Sequence, residues 1–391
     1  MMNEIENGST EFYVFRNNRR LRTGYTTGSC AAAASKAAAI MLLSQSRIDT
    51  VDIETPAGIR LRLAVVRISI SKRSSSCAVR KDGGDDKDAT HGALVYARVS
   101  YSATEGMSID GGEGVGKVTR KGLDQPPGSA AINTVPRRMI SRSVREACDA
   151  FGYTGGISIV ISVPGGQEIA GRTFNPRLGI VGGISIIGTS GIVEPMSETA
   201  LVDTIRAEMR MRRSSGSEYL LIVPGNYGKD FGKTFGERYP LLSEDSAVKC
   251  SNFVGEAIDC AVEIGAKGLL LVGTLGKLVK LAGGIMNTHS RNADCRMEIL
   301  AANSLMAGAE AEAARRIMGC ITTDDALDIL HQEGLLEEVM PMLAERMRFH
   351  MDHRAGGGLE LGVVVFSKKF GLLGISHGTM DLIEKFSGEV R

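Results

Sequence analysis

Several short stretches of this chain gather side chains that do chemistry. The densest is "GGIMNTHSRNADCRME", where Asn287, Thr288, His289, Ser290, Arg291, Asp294 and Arg296 stand directly before a long helical segment. His289 there can accept or donate a proton, Asp294 can assist it or cap the helix, and the arginines can fork onto carboxylates. The spacing matches neither HExxH nor a Cys/His set, so no metal ligands are expected. In "KDGGDDKDATHG", Lys81, Asp82, Asp85, Asp86, Asp88 and His91 lack the ladder of a calcium loop and read as an acidic turn. "GGEGVGKVTRKG" and "NTVPRRMI" supply Lys117, Arg120, Lys121, Arg137 and Arg138, a basic rim suited to a ligand with several carboxylates. In "LRTGYTTGSCAAAASKAAAI", threonines and glycines precede an alanine-rich helix. Short side chains and free N–H groups at such a turn let a backbone or a flat ligand approach closely.

These stretches need elements to hold them. Behind the alanine helix, "TVDIETPAG", "IRLRLAVVRISIS" and "ALVYARVSYS" read as strands, and the latter two alternate apolar with polar. A helix is predicted from about Val135 to Phe151, then a long strand in "GISIVISV", a Gly-rich turn and a second, shorter hydrophobic strand. "SIDGGEGVGKVTR" and "ISVPGGQEIAGRTFNP" echo each other weakly. A further helix from Ser197 to about Met211 ends in the charged, Ser/Gly-rich "RAEMRMRRSSGSE", which reads as a linker. Beyond it, apolar strands alternate with helices, the rhythm of a parallel sheet covered on both faces. The expected fold is therefore an α+β domain with mainly antiparallel sheet over 1–214, followed by an open, Rossmann-like α/β domain over 215–391.

Ligands of open parallel sheets sit beyond the carboxyl ends of the strands. Those ends carry "VPGNYG", with Gly225, Asn226 and Gly228, and "VGTLGKLVK", with Gly273, Thr274, Gly276 and Lys277. Neither is a dinucleotide fingerprint or a Walker A loop, so NAD and ATP are poorly supported, while a nucleoside without phosphates needs no such cradle. The chain's 391 residues carry 46 Lys and Arg against 45 Asp and Glu, a net charge of +1. Such a balance gives no whole-chain field to attract nucleic acid or an acidic membrane. Seven cysteines without a CxxC pair suit a reducing compartment. The N-terminal "MMNEIENGST" is polar, and no uninterrupted apolar run reaches the ~20 residues of a membrane span, so a cytoplasmic protein is expected.

Taken in order, "LRTGYTTGSCAAAASKAA", "KDGGDDKDATHGA", "GGEGVGKVTRKGL", "NTVPRRMI", "GGISIIGTSGIVEPMS", "PGNYG", "SNFVGEAID" and "GGIMNTHSRNADCRMEIL" resemble the cobalt-precorrin-5B C1-methyltransferase family of anaerobic cobalamin biosynthesis. The resemblance runs from Leu21 to about Leu300, and Cys295 departs from it where a smaller or apolar residue is expected. It implies transfer of the methyl of S-adenosylmethionine to C1 of cobalt-precorrin-5B, with cobalt carried by the substrate and no protein-bound metal. On that basis the donor is expected at Gly225, Asn226, Gly228, Gly273, Thr274 and Gly276, with His289 and Asp294 as catalytic candidates. The macrocycle's carboxylates are expected at Thr23, Thr26, Thr27, Gly28 and Ser29, and at Lys117, Arg120, Arg137, Arg138 and Arg291. A homo-oligomer is compatible with this reading, whereas nucleic acid and membrane are not expected partners. The rival class is a non-catalytic corrinoid carrier, which needs the carboxylate-binding site but no adenosine-sized one.

Overall fold

A computed structural model describes residues 2–6, 9–16, 18–225 and 246–388, and the chain divides into two compact units, Met1–Glu198 and Thr199–Arg391. The first unit begins with an antiparallel meander, β1 (Met2–Glu6), β2 (Ser9–Arg16) and β3 (Arg19–Arg22), and a short strand β4 (Gly24–Tyr25). Helix α1 (Thr27–Ser44) follows. Its "CAAAASKAAA" run contains the best helix former and no β-branched residue. All seven alanines of that run are 0% exposed.

The hairpin β5 (Thr50–Glu54) and β6 (Arg60–Ala64) leads into β7 (Val66–Ile70), β8 (Ser74–Arg80), β9 (Leu94–Ser102), β10 (Met107–Gly111) and β11 (Lys117–Val118). Then come α2 (Thr134–Ala150), β12 (Gly156–Ser162), α3 (Gly166–Ala170), β13 (Ile180–Val181) and β14 (Ile192–Val193). The main sheet has the order β10-β12-β9-β8-β7 and is antiparallel except between β10 and β12, where Met107 stands opposite Ile157 and Gly111 opposite Ile161. Helix α1 lies on β8 and β9 and alongside α2. The two helices run parallel, because Gly28 meets Pro136 near their starts and Lys36 reaches Glu146 at 2.8 Å further on. Strand β8 is not expected from the sequence: three serines hide a buried face made by Cys77 and Val79. The expected second, shorter hydrophobic strand is divided into β13 and β14, with single bridges from Ile184 to Val115 and from Ile186 to Ile132 between them.

The second unit holds α4 (Glu198–Ser214), β15 (Tyr219–Val223), β16 (Ala247–Lys249), α5 (Val254–Glu263), β17 (Gly268–Thr274), α6 (Leu275–Leu278) and a 3-10 turn, Val279–Gly283. It continues with α7 (Arg296–Met306), α8 (Ala311–Met318), α9 (Thr323–Gln332), α10 (Leu336–Ala355), β18 (Glu360–Ser367), β19 (Gly371–Ile375) and α11 (Thr379–Gly388). The sheet order is β16-β15-β17-β18-β19, parallel through β18 and closed by antiparallel β19. This is the open α/β pattern that the apolar strands imply. The boundary differs from the sequence reading of 214: the basic "RAEMRMRRS" stretch is the end of α4, whose Ile205 and Met209 are buried in the second unit's core. Its Glu208 and Arg212 pair at 2.8 Å, one turn apart. By length and composition α1 could cross a bilayer, but it is buried within the first unit.

Because α1 meets the sheet through methyl groups, a larger side chain has no room there. Cys77 Sγ approaches the Ala34 carbonyl at 3.2 Å. Ala34→Leu is expected to destabilise the protein by roughly 2 kcal/mol, read as a lower urea midpoint. An unchanged midpoint would show that α1 is not packed in this way.

Candidate functional site

The polar lead-in to α1 is consumed inside its own unit. Thr23 donates its hydroxyl to the Phe12 carbonyl at 2.9 Å, and Thr26 caps α1 by accepting the Ser29 N–H at 3.2 Å. Ser29 donates its hydroxyl to the Gly191 carbonyl at 2.6 Å. Thr27 accepts the Ile187 N–H at 3.0 Å, while the Gly28 N–H donates to the Ile187 carbonyl at 2.9 Å. Thr26, Thr27, Gly28 and Ser29 thus fasten the 187–191 loop onto the helix start, while Thr23 ties the lead-in to β2.

The acidic turn does similar work. A Cβ on Gly24 would stand 2.3 Å from the Asp82 carbonyl oxygen, so the two loops cross backbone to backbone. Around that crossing, Arg22 clasps the Asp82 carboxylate at 2.5 and 3.0 Å, and the Met196 N–H reaches Asp86 at 3.2 Å. Lys81, with 1% of its side chain exposed, meets Asp88 at 2.6 Å. Burial pushes both carboxyls upward, but the Arg22 and Lys81 charges and local donors outweigh it, so both sit below the ordinary carboxylate range. Among the described residues no group of three His, Cys, Asp or Glu side chains is placed to hold a metal ion.

The basic rim separates into two kinds of residue. Arg137 spends its guanidinium on the carbonyls of Ile132 at 2.8 Å, Ile109 at 2.9 Å and Ala130 at 3.4 Å. Lys117, Arg120, Lys121 and Arg138 are exposed. Between them, Gly114 admits a contact that any side chain would forbid: its Cβ would lie 1.8 Å from the Val163 carbonyl oxygen. That approach joins the "GGEGVG" and "VPGG" turns, the two that echo each other in sequence.

In the second unit the "NTHSRNADCR" loop is held from beneath. Lys280, 3% exposed, donates to the carbonyls of Ala293 at 2.7 Å and Thr288 at 3.2 Å. Burial draws its pKa below the usual lysine range, and nearby Asp294 opposes that shift. Asn252 holds the same loop, accepting the Thr288 N–H at 3.0 Å and its hydroxyl at 3.3 Å. The ring of His289 accepts the Arg291 N–H on Nδ1 at 3.1 Å. In the neutral ring the proton is therefore on Nε2, which makes His289 a hydrogen-bond donor to anything beyond the loop. Asp294 stands one residue before the cap position of α7, in a two-pronged pair with the Arg296 side chain at 2.5 and 2.9 Å; that pair, with the Arg296 backbone N–H, holds its carboxyl below the ordinary range. The cap position belongs to Cys295, whose φ of 53° is left-handed. That backbone explains why a smaller residue suits the position. Lys280 and Asn252 escape the sequence reading, although a lysine set among the apolar residues of "LVKLAGG" is the signal for the first.

The strand order puts a topological switch point at the carboxyl ends of β15 and β17, because the chain leaves β15 toward β16 on one side and β17 toward β18 on the other. Gly225, Thr274 and Gly276 lie there. Gly273 serves packing, since a Cβ on it would stand 3.0 Å from the Pro224 ring. Thr274 opens α6, yet its half-buried hydroxyl makes no cap, and Gly276 has only ordinary contact around it. An uncommitted hydroxyl beside an open glycine suits a nucleoside's ribose and amino-acid groups better than a phosphate. Asn226 and Gly228 lie outside the described residues.

Comparisons with known proteins agree along most of the chain. Residues 14–195 match the family model described as CbiD, and residues 287–377 match that described as CbiD, C-terminal domain. A protein of Ruminiclostridium cellulolyticum named cobalt-precorrin-5B C(1)-methyltransferase is 50% identical over 358 residues, covering 91% of this chain and 92% of its own length. One of the same name from Alkaliphilus metalliredigens is 44% identical over 379 residues, covering 97% and 98%. A crystal structure of a cobalamin biosynthesis protein (cbiD) from Archaeoglobus fulgidus shares 28% identity over 71% of this chain and 86% of its own, with a TM-score of 0.39.

Two outcomes follow from the buried lysines. Asp88→Asn leaves Lys81 charged and unpaired and is expected to cost roughly 3–5 kcal/mol. In the wild type, stability from Asp82 and Asp88 is present above the unfolded carboxylate pKa of about 3.9 and is lost as pH falls through their lower folded values. Urea titrations from pH 7 to pH 3 check both, and equal acid sensitivity of the two proteins would contradict the pairing. Lys280→Met keeps the side chain's length and removes its donors. Amide exchange within 288–293 is expected to accelerate by about 10-fold or more, corresponding to the loss of one or two bonds to a charged group; unchanged exchange would mean that Lys280 does not hold the loop.

Proposed function

This chain belongs to the CbiD family, and we propose that it transfers the methyl group of S-adenosylmethionine to C1 of cobalt-precorrin-5B, giving cobalt-precorrin-6A and S-adenosylhomocysteine, in the cytoplasm. The observation that carries this reading is 50% and 44% identity, over more than nine-tenths of each chain, to two proteins named for that reaction. The absence of a phosphate-binding fingerprint from the α/β unit's sequence also supports a donor bound as a nucleoside.

Bound S-adenosylmethionine supplies an electrophilic methyl on a sulfonium, released as a thioether when the new carbon–carbon bond forms. The protein's share is alignment and the exclusion of water. Gly225, Thr274 and Gly276, with Asn226 and Gly228, hold the donor's ribose and amino-acid portion. His289 donates through Nε2 to the macrocycle, and its loop keeps that ring oriented because Lys280 and Asn252 fix the loop's ends. Asp294, held as a carboxylate by Arg296, contributes charge and orientation more than proton uptake. Arg291, on the crest of the same loop, engages a carboxylate of the ring. Thr23, Thr26, Thr27, Gly28 and Ser29 act one step removed, holding the first unit's loops in place. No covalent protein nucleophile is needed, and the thiols of Cys30, Cys77 and Cys250, pushed up to about 12 by burial, suit none.

The purified protein, given cobalt-precorrin-5B and methyl-labelled S-adenosylmethionine, is expected to place one label per macrocycle at C1, read by mass spectrometry and carbon NMR. Label at another carbon, or none, would defeat the proposal. His289→Ala is expected to lower turnover by roughly 10- to 100-fold, with S-adenosylhomocysteine affinity in calorimetry close to wild type. A loss confined to donor affinity would move His289 to the donor's site.

A further inference from the structure

The outward side of α2 borders a groove of about 670 Å³, whose walls carry Arg137, Arg138, Arg142 and Arg145 against Glu146 and Asp149, with Ser141 among them. Its charges are not equally committed. Arg142 is neutralised by Glu54 at 2.7 Å and Glu146 at 3.1 Å, and Glu146 also receives Lys36 at 2.8 Å. Arg138 and Arg145 are exposed and have no acidic or hydrogen-bonding partner among the described residues. They stand seven residues apart on one face of α2, with the half-buried Ser141 between them. Two helical turns separate such positions by roughly 10 Å.

Asp124 fills the start of α2, where its carboxylate accepts the Thr134 N–H, so the helix end itself needs no further anion. Arg137, in the turn that follows, is spent on three carbonyls, whereas Arg138 is not. A carboxylate suits the fork geometry of a guanidinium. A rigid ring fringed with carboxylates can offer one to each of the two unpaired arginines.

We infer that this groove is a binding site for a multi-carboxylate macrocycle, with Arg138 and Arg145 each taking one carboxylate and the Ser141 hydroxyl contributing between them. The inference rests on the proposed methyl transfer for the identity of the natural ligand, but not for its test. An octacarboxylate porphyrin, uroporphyrin, is titrated into the full chain and followed by its fluorescence. Wild-type protein is expected to bind it in a salt-dependent manner. The double variant Arg138→Ala/Arg145→Ala is expected to bind roughly 10- to 100-fold more weakly, and Arg138→Glu/Arg145→Glu more weakly still. Lys72→Ala/Arg73→Ala, at two exposed cations on another part of the unit, controls for the loss of two charges and is expected to match wild type. Melting temperatures on the same preparations exclude unfolding as the cause. Titrations of both double variants that superimpose on wild type would overturn the inference, as would a control variant that loses binding equally. If cobalt-precorrin-5B is methylated while the double variants bind and turn over normally, the groove fails and the reaction stands. If binding depends on the arginines but no methyl is transferred, the groove stands and the reaction fails.

Discussion

The first unit depends on backbone lying against backbone. At Gly24 the "RTG" loop crosses the "KDGGDD" loop, and at Gly114 one glycine turn presses on another with no space for a β-carbon. The same economy of side chain governs α1, whose alanines bring a helix close to both the sheet and α2. Close approach alone would leave polar groups stranded, and an unsatisfied buried group costs about 1–3 kcal/mol. The threonines, Ser29 and the acid–base pairs answer that need. The polar residues around α1 are the hydrogen-bonding counterpart of its small ones.

The second unit is organised by a different requirement, a parallel sheet buried on both faces. Its strands are apolar without alternation, so accessible polar groups are left to the loops at their carboxyl ends and to the segment before α7. There the holding groups come from below: the buried ammonium of Lys280 and the side chain of Asn252 fix a loop whose own residues are mostly exposed. A loop with a fixed base and an exposed crest can orient a ring nitrogen such as His289 Nε2 without burying it. The switch point between β15 and β17 differs again, offering an uncapped hydroxyl and an open glycine in place of a charged cradle.

Periodicity made much of this legible in advance. The alanine helix, the alternating strand at 94–102 and the apolar strand at 268–274 all carry their element type on their face. Strand β8 does not, because serines occupy its first positions, and the end of α4 reads as linker because its arginines outnumber the buried Ile205 and Met209. The candidate site was legible as residue types but less so as partners. Thr27 could equally have faced a ligand; its partner is Ile187, 160 positions away, and no local pattern encodes a contact at that distance. Arg137 and Arg138 are adjacent and alike in sequence, yet one is spent on carbonyls and the other is not. Only the path of the chain distinguishes them.

The proposed methyl transfer requires the α/β unit to receive the donor at its switch point. Hydrogen–deuterium exchange of the full chain with and without S-adenosylhomocysteine examines that directly. Protection is predicted in the segments 219–225 and 272–278, at the ends of β15 and β17, with little change along α1. Protection confined to the first unit, or absent throughout at saturating ligand, would contradict it.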